Sequence, residues 1–173
     1  MTMGCEDLSA ADLEFLRRAI ELAREARGQG RHPFGALIVN GEGQVLVEAR
    51  NNAVRPGGDA TQHAERLACS KAGKLFTEAE LAASTLYTST EPCAMCAGAI
   101  YWVGIGRVVY GLSEQGLMRC TGSHEENPTL DLPCREVFAR GQRRTVVVMV
   151  VVALIDEAEA GEGEEFVDFA DEL

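Results

Sequence analysis

The chain has 173 residues, of which 46% are hydrophobic and 25% are charged, so it can bury one core without the help of disulfides. Its formal net charge of −11 arises mainly in residues 155–173, whose nine acids occur without a base, and the remaining 18 acids face 16 bases. This distribution includes no basic stripe of the kind that binds duplex or transfer RNA, and no apolar run reaches the length of a membrane span. We therefore expect a protein without a membrane partner and with a small, weakly charged substrate, so nucleic acid is disfavoured.

Hydrophobic periodicity and turn residues predict nine regular elements. In chain order these are a helix over residues 9–28, strands over 34–39 and 44–49, a helix over 61–71, a strand over 85–90, a helix over 92–103, a strand over 107–111, a short helix over 136–140 and a strand over 144–154. Ser9 and Asp12 form a capping box at the first helix, and Gly73 is expected to stop the second helix. Residues 112–134 are predicted to be irregular, and the last strand, rich in valine, is predicted to be buried on both faces.

This order of helices and strands is typical of the α/β class. It predicts a three-layer α/β/α sandwich around one central mixed sheet of about five strands. No repeat or linker divides the sequence, so residues 1–155 are expected to form one domain and residues 156–173 an acidic tail. The N-terminus has no basic, apolar leader, which predicts a cytoplasmic protein whose six cysteines are reduced.

Two short motifs carry residues that bind metals. The first is His63-Ala64-Glu65, and the second is Pro92-Cys93-Ala94-Met95-Cys96. Cys93 and Cys96 share one helical face, one turn apart, and Pro92 is expected at the first helical position. One imidazole and two thiolates are good ligands for a single Zn²⁺ ion, and they leave the fourth tetrahedral position to a water molecule or hydroxide. Glu65 follows the histidine by two residues, so it can move protons without binding the metal.

The alternative to a catalytic zinc site is a structural site that a fourth protein ligand closes. The candidates for that ligand are His32, Cys120 and His124. Closed zinc sites usually contain a second paired motif, and Cys120 and Cys134 are too far apart to form one. The pattern therefore favours a catalytic zinc.

The paired motifs resemble those of the cytidine deaminase superfamily, and residues 10–112 carry the resemblance. It is strongest to the fungal cytosine deaminases, the bacterial guanine deaminases and the tRNA adenosine deaminases. The matching segments are Phe34-Gly35-Ala36, Asn51, His63-Ala64-Glu65, Leu86-Tyr87, the stretch from Glu91 to Cys96, and Gly98-Ala99-Ile100. The resemblance implies the cytidine deaminase-like fold, a zinc cofactor, and hydrolysis of an exocyclic amine to a carbonyl with release of ammonia.

The resemblance also implies roles for residues around the zinc. Asn51 is expected to hydrogen-bond the edge of the base, Phe34 to belong to the substrate site, and the backbone near Ser89 to contact the leaving amine. The tail residues Phe166, Asp168 and Phe169 are similar to a C-terminal segment that closes over the ring in the fungal enzymes. Related enzymes are homodimers, and the apolar residues Ile100, Trp102 and Val103 would suit their interface.

Three functions from two classes fit these observations. The leading one is deamination of a small nucleobase such as cytosine, guanine, isoguanine or 5-azacytosine. The second is deamination of adenosine in a tRNA, which the acidic composition disfavours because such an enzyme must bind a polyanion. The third is a catalytically silent module that binds a partner, which the presence of Glu65 disfavours because a silent relative has no use for a proton shuttle.

Overall fold

A computed structural model describes residues 8–54, 56–122 and 130–150 of the chain. The helices are α1 (Ala10–Gly28), α2 (Ala64–Leu75), α3 (Glu78–Ala82), α4 (Ala94–Val103), α5 (Glu114–Thr121) and α6 (Cys134–Ala139). The strands are β1 (Gly35–Val39), β2 (Val45–Arg50), β3 (Thr85–Thr90), β4 (Arg107–Leu112) and β5 (Val146–Met149). None of the helices within these described ranges combines the length and the apolar character needed to cross a membrane.

The five strands form one mixed sheet in the order β2-β1-β3-β4-β5. Strand β1 runs antiparallel to both β2 and β3, whereas β3, β4 and β5 run parallel to one another. In the register of β3 and β4, Thr90 lies opposite Leu112, so the two parallel strands end side by side. The loops that follow them therefore meet at the same edge of the sheet.

Helices cover both faces of the sheet, which confirms the predicted three layers. On one face, α1 packs its buried side chains against β1, β3 and β4, with Leu16 and Leu22 next to Leu37 and Val109. On the other face, α2 and α4 pack against the sheet and against each other, and α6 packs against α4. The predicted capping box of α1 is present, because Ser9 and Asp12 exchange hydrogen bonds.

Two helix boundaries differ from the sequence prediction. Helix α2 continues through Gly73 to Leu75, and a β-carbon at Gly73 would lie only 3.1 Å from Cγ1 of Val103. The glycine thus lets α2 approach α4 closely and does not stop the helix. Pro92 precedes α4 and is not its first residue, because Cys93 is still extended and serves as the N-cap.

The last strand was predicted to be longer and more deeply buried than it is. Strand β5 spans only four of the predicted residues, and residues 151–154 lie outside the described part of the chain. Val146 and Met149 are exposed, so the prediction of burial on both faces was wrong for the described portion. These side chains are exposed because β5 lies at the edge of the sheet. Valine favours strands in general, so a valine-rich strand need not be a central one. The segment predicted to be irregular also contains α5, which begins after the N-cap Ser113.

Candidate active site

The N-termini of α2 and α4 bring the two sequence motifs together. His63 is the N-cap of α2 and Cys93 is the N-cap of α4, and neither side chain makes the usual capping hydrogen bond. Cys96 lies in the first turn of α4 and is fully buried. These side chains are therefore available to a ligand at the positive ends of two helices, where thiolates are stabilised.

The spacing of these three side chains fits a zinc ion. Their ligand atoms all lie within 4.8 Å of one another, and Sγ of Cys93 is 3.6 Å from Nδ1 of His63. Tetrahedral zinc, with Zn–S of about 2.3 Å and Zn–N of about 2.0 Å, places such a sulfur and nitrogen about 3.5 Å apart. Within the described ranges this is the only group of three such side chains, and neither His32 nor Cys120 joins it.

The electrostatics of this cluster favour the thiolate form of Cys93. The hydrogen bond from Cys96, and then the one from His63, lowers the pKa of the Cys93 thiol to about 4. The hydrogen bond to Cys93 raises the pKa of His63, although burial acts in the opposite direction. A thiolate is thus present at neutral pH, and a divalent ion would hold the second thiol as a thiolate as well.

Glu65 lies directly beside the cluster and is almost completely buried. Its Oε1 atom accepts a 2.8 Å hydrogen bond from the hydroxyl of Thr88, and its Oε2 atom lies 3.5 Å from Sγ of Cys96. Burial raises the pKa of Glu65 above its ordinary value. A surface role for this acid is therefore excluded, and a raised pKa suits a group that accepts and returns a proton.

A cavity of about 330 Å³ opens onto the metal cluster. It is lined by His32, Phe34, Ala53, Ala60, His63, Glu65, Thr90, Glu91, Cys93, Met95, Glu114, Leu117 and Leu130. Its volume lies at the small end of the range for ligand sites. None of these described lining residues is a lysine or an arginine, and three of them are glutamates, so the cavity does not suit a phosphate group.

The structure places Phe34 in the wall of this cavity, whereas Asn51 is not among the lining residues and instead bonds to two of them, Phe34 and Ala53. The backbone N–H of Asn51 donates to the carbonyl of Phe34, and its Oδ1 accepts a hydrogen bond from the N–H of Ala53. The Nδ2 atom of Asn51 is buried and has no hydrogen-bond partner. A buried amide nitrogen without a partner is costly, and a ligand acceptor would satisfy it.

Ser89 is not among the residues that line the cavity. Its side chain is buried on the opposite face of β3 and accepts a 3.3 Å hydrogen bond from the N–H of Gly35. The neighbouring residues Thr90 and Glu91 line the cavity in its place. Phe166, Asp168 and Phe169, like the rest of the acidic tail, lie outside the described residues, as does His124.

Sequence reasoning missed Thr88, Thr90 and Glu114. The two threonines alternate along β3, where a polar residue on a buried strand is a detectable signal.

Sequence reasoning also left the role of Glu91 open. Its carboxylate accepts hydrogen bonds from the backbone N–H groups of Glu114 (3.1 Å) and Cys134 (2.9 Å). Glu91 thereby joins the N-termini of α5 and α6, which favours a helix-terminal role for this acid.

The apolar residues of α4 that were grouped for a subunit interface divide between the core and the surface. Ile100 is fully buried and cannot belong to such a surface, so that part of the expectation was wrong. Trp102, by contrast, is 77% exposed, and its ring meets the ring of Tyr101 edge to face at 5.3 Å. Because an α-helix has 3.6 residues per turn, Ile100 and Trp102 lie on different sides of α4.

A histidine and two cysteines spaced for one ion, with a buried glutamate beside them, are typical of the zinc-dependent hydrolytic deaminases. Enzymes of this class hydrolyse a C–N bond on a ring carbon. The chain belongs to the cytidine and deoxycytidylate deaminase family, because the model of that family's zinc-binding region matches residues 9–112. The chain is thus an enzyme with zinc as its cofactor, as the sequence predicted.

Relatives with several substrates share this family. A probable cytosine deaminase of Schizosaccharomyces pombe is 43% identical over 84% of this chain and 88% of its own length. A guanine deaminase of Bacillus subtilis is 46% identical over 56% of this chain and 61% of its own. Among solved structures, the guanine deaminase of Nitrosomonas europaea superposes with a TM-score of 0.64 at 29% identity, over 88% of this chain and 86% of that one.

Proposed function

We propose that this enzyme hydrolyses the exocyclic amine of a small nucleobase, with cytosine and guanine as the reference substrates. The observation that carries the proposal is the buried Glu65, which lies between Thr88 and the metal cluster at a cavity of about 330 Å³. A cavity of this size accommodates one ring system, and its acidic lining disfavours nucleotides. The similarity to a probable cytosine deaminase over most of the chain supports the same substrate class.

The chemistry divides between the metal and the protein. Zinc, held by His63, Cys93 and Cys96, supplies the Lewis acidity that makes water a nucleophile at neutral pH. Glu65 takes a proton from the attacking water and delivers it to the ring nitrogen next to the reacting carbon. It then transfers the second proton of that water to the amine, so the C–N bond breaks and ammonia leaves while a C=O bond forms.

The remaining side chains of the site orient the ring. The unpartnered Nδ2 of Asn51 is a donor for a ring acceptor, and Phe34 gives the ring an apolar wall. Contacts of the leaving amine with backbone near Ser89, and closure of the site by Phe166, Asp168 and Phe169, belong to the same proposal. They rest on the family resemblance alone.

The decisive experiment is ammonia release from a panel of bases by the zinc-loaded protein. The panel contains cytosine, guanine, isoguanine, isocytosine, 5-azacytosine, adenine, the corresponding nucleosides and a tRNA. We expect turnover of one free base, a loss of about 10³-fold or more in Glu65→Gln, and wild-type rates in Glu136→Gln, which changes an exposed acid. If the zinc-loaded wild type releases no ammonia from any base, the proposal is refuted.

Transfer RNA is the alternative substrate, because relatives include a tRNA-specific adenosine deaminase of Haemophilus influenzae that is 39% identical over 61% of this chain. The net charge of −11 and the acidic cavity both oppose a polyanionic substrate. Release of ammonia from tRNA but from no free base would reverse this assignment.

We also propose that two copies of the chain associate through α4. The exposed Trp102 and its neighbour Tyr101 provide an aromatic surface at the end of this helix, and aromatic side chains are enriched at subunit interfaces. Sedimentation velocity would show a dimer for the wild type and a monomer for Trp102→Arg. A monomeric wild type would exclude this interface.

A further inference from the structure

Glu114 is a second carboxylate in the cavity, and the proton transfers proposed above do not use it. It is the first residue of α5, its side chain lines the cavity, and only 8% of its surface is exposed. The backbone N–H of Leu130 hydrogen-bonds to the carboxylate, and the backbone N–H of Glu114 itself bonds to Glu91. A carboxylate offers about four acceptor sites, so this one can still bind a donor from a ligand.

Stabilisation of a helix end does not account for the buried position of Glu114. A negative charge in the first turn of a helix stabilises the helix even when the side chain is exposed to solvent. Glu78 at the start of α3 is such an acid, with a side chain that is 87% exposed. Glu114 instead lies near Glu91 and Cys93. Burial raises the pKa of this carboxyl, and a buried ionisable group that lines a cavity is typical of a functional site.

Thr90 provides an independent sign that a ligand binds here. Thr90 lines the same cavity, and its hydroxyl is buried and has no hydrogen-bond partner. Because Thr90 pairs with Leu112 in the sheet, Glu114 follows only two residues beyond the partner of Thr90. The unpartnered hydroxyl and the carboxylate thus belong to one wall of the cavity, built by the ends of β3 and β4.

We propose that Glu114 determines substrate specificity by accepting a hydrogen bond from a ring N–H of the bound base, with Thr90 as a second polar contact beside it. Once zinc and Glu65 engage the reacting carbon and the nitrogen next to it, a free amino-azine still has a ring N–H to donate. A sugar or a methyl group on that nitrogen removes the donor and leaves the carboxylate without a partner. The site therefore selects unsubstituted bases over nucleosides. This inference rests on the proposed nucleobase deaminase function.

The test compares cytosine and guanine with their singly ring-N-methylated derivatives, using zinc-loaded wild type, Glu114→Gln, Thr90→Val and Glu78→Gln. Steady-state kcat and KM are measured for each pair, and calorimetric binding of the same bases provides a readout apart from turnover. We expect the wild type to prefer the unmethylated base over one methylated form by at least 100-fold. Glu114→Gln should reduce that preference at least tenfold, mainly through KM, and Thr90→Val should raise KM for both forms. The control Glu78→Gln, which also changes the first acid of a helix, should match the wild type.

The outcomes separate this inference from the function on which it rests. A wild type that turns over no base overturns both. A wild type that is active, with a preference that Glu114→Gln leaves unchanged, overturns only the role of Glu114. An equal loss on both members of a pair identifies Glu114 as a structural residue and overturns the inference as well, and zinc content together with circular dichroism shows whether the variant is folded.

Discussion

The hydroxyl of Thr88 donates a 2.8 Å hydrogen bond to Oε1 of Glu65, and both residues are buried. The bond connects the central strand β3 to the first turn of α2 and fixes the carboxylate beside Cys96. Without such a donor, a buried carboxylate would adopt another side-chain conformation or remain protonated. The proposed proton carrier, Glu65, is thus oriented by a residue of the sheet.

Removal of this hydroxyl should weaken catalysis without loss of the metal. We expect Thr88→Val, which conserves side-chain shape, to lower kcat about tenfold and stability by about 1 kcal/mol, with unchanged zinc content. Thr145→Val removes a comparable hydroxyl, whose 3.3 Å bond to the carbonyl of Ile105 lies outside the cavity lining, and it should keep full kcat. Equal kcat values in the two variants would show that Thr88 does not orient Glu65.

Loss of one zinc ligand should abolish metal binding and lower stability together. In Cys96→Ser, a hydroxyl replaces the buried thiolate, so zinc content measured by mass spectrometry should fall from one ion per chain towards zero. The thermal midpoint should fall too, because bound metal stabilises only the folded state. Cys120→Ser changes an exposed thiol and should retain one zinc. A fully metallated Cys96→Ser protein would contradict the ligand assignment.

The ionisation of Asp12 should make the free energy of unfolding depend on pH in the acidic range. Burial raises the pKa of this carboxyl, but hydrogen bonds from Arg107, Ser9 and Tyr87 outweigh burial and hold the pKa well below its usual value of about 3.9. The resulting stability is complete above pH 4 and is lost as the pH falls towards the lowered pKa, by about 2 kcal/mol. Asp12→Asn should be less stable at neutral pH and should lack this part of the decline between pH 4 and pH 2 in urea unfolding. Parallel pH profiles of the two proteins would refute the prediction.

Glu91 should hold α5 and α6 in place. Its two oxygens accept the N–H groups of Glu114 and Cys134, and an amide at this position retains only one acceptor oxygen. Glu91→Gln should therefore cost about 1–3 kcal/mol, because one buried N–H loses its partner. Hydrogen exchange followed by mass spectrometry should accelerate in α5 and α6 and stay unchanged in α1. Uniform acceleration over the whole chain would instead indicate global destabilisation.

The fold class and the metal cluster were predictable because their signals are local. His63 and Cys93 are each the extended N-cap residue directly before a helix, and short motifs indicate such helix starts directly. The layered fold followed from the order of helices and strands, which also identified the antiparallel hairpin.

The remaining features depend on pairings that no local pattern contains. Glu114 reaches the cavity because β4 lies beside β3, and the edge position of β5 exposes a valine-rich strand that reads as buried. Ser89 and Thr90 differ by one residue, and only the orientation of β3 decides which of them faces the cavity. Such a one-residue difference reverses the face of a strand.

The match to the model of the family's zinc-binding region ends at Leu112, two residues before Glu114, so the border of that region crosses the cavity. The zinc ligands and the proton carrier lie before the border, and the wall formed by α5 lies after it. Mutation in the second segment can therefore alter which ring is admitted while the hydrolytic chemistry stays intact. If Glu114 selects the base as proposed, new substrate preferences can evolve without rebuilding the metal centre, and exchange of the segment after Leu112 between relatives should alter specificity.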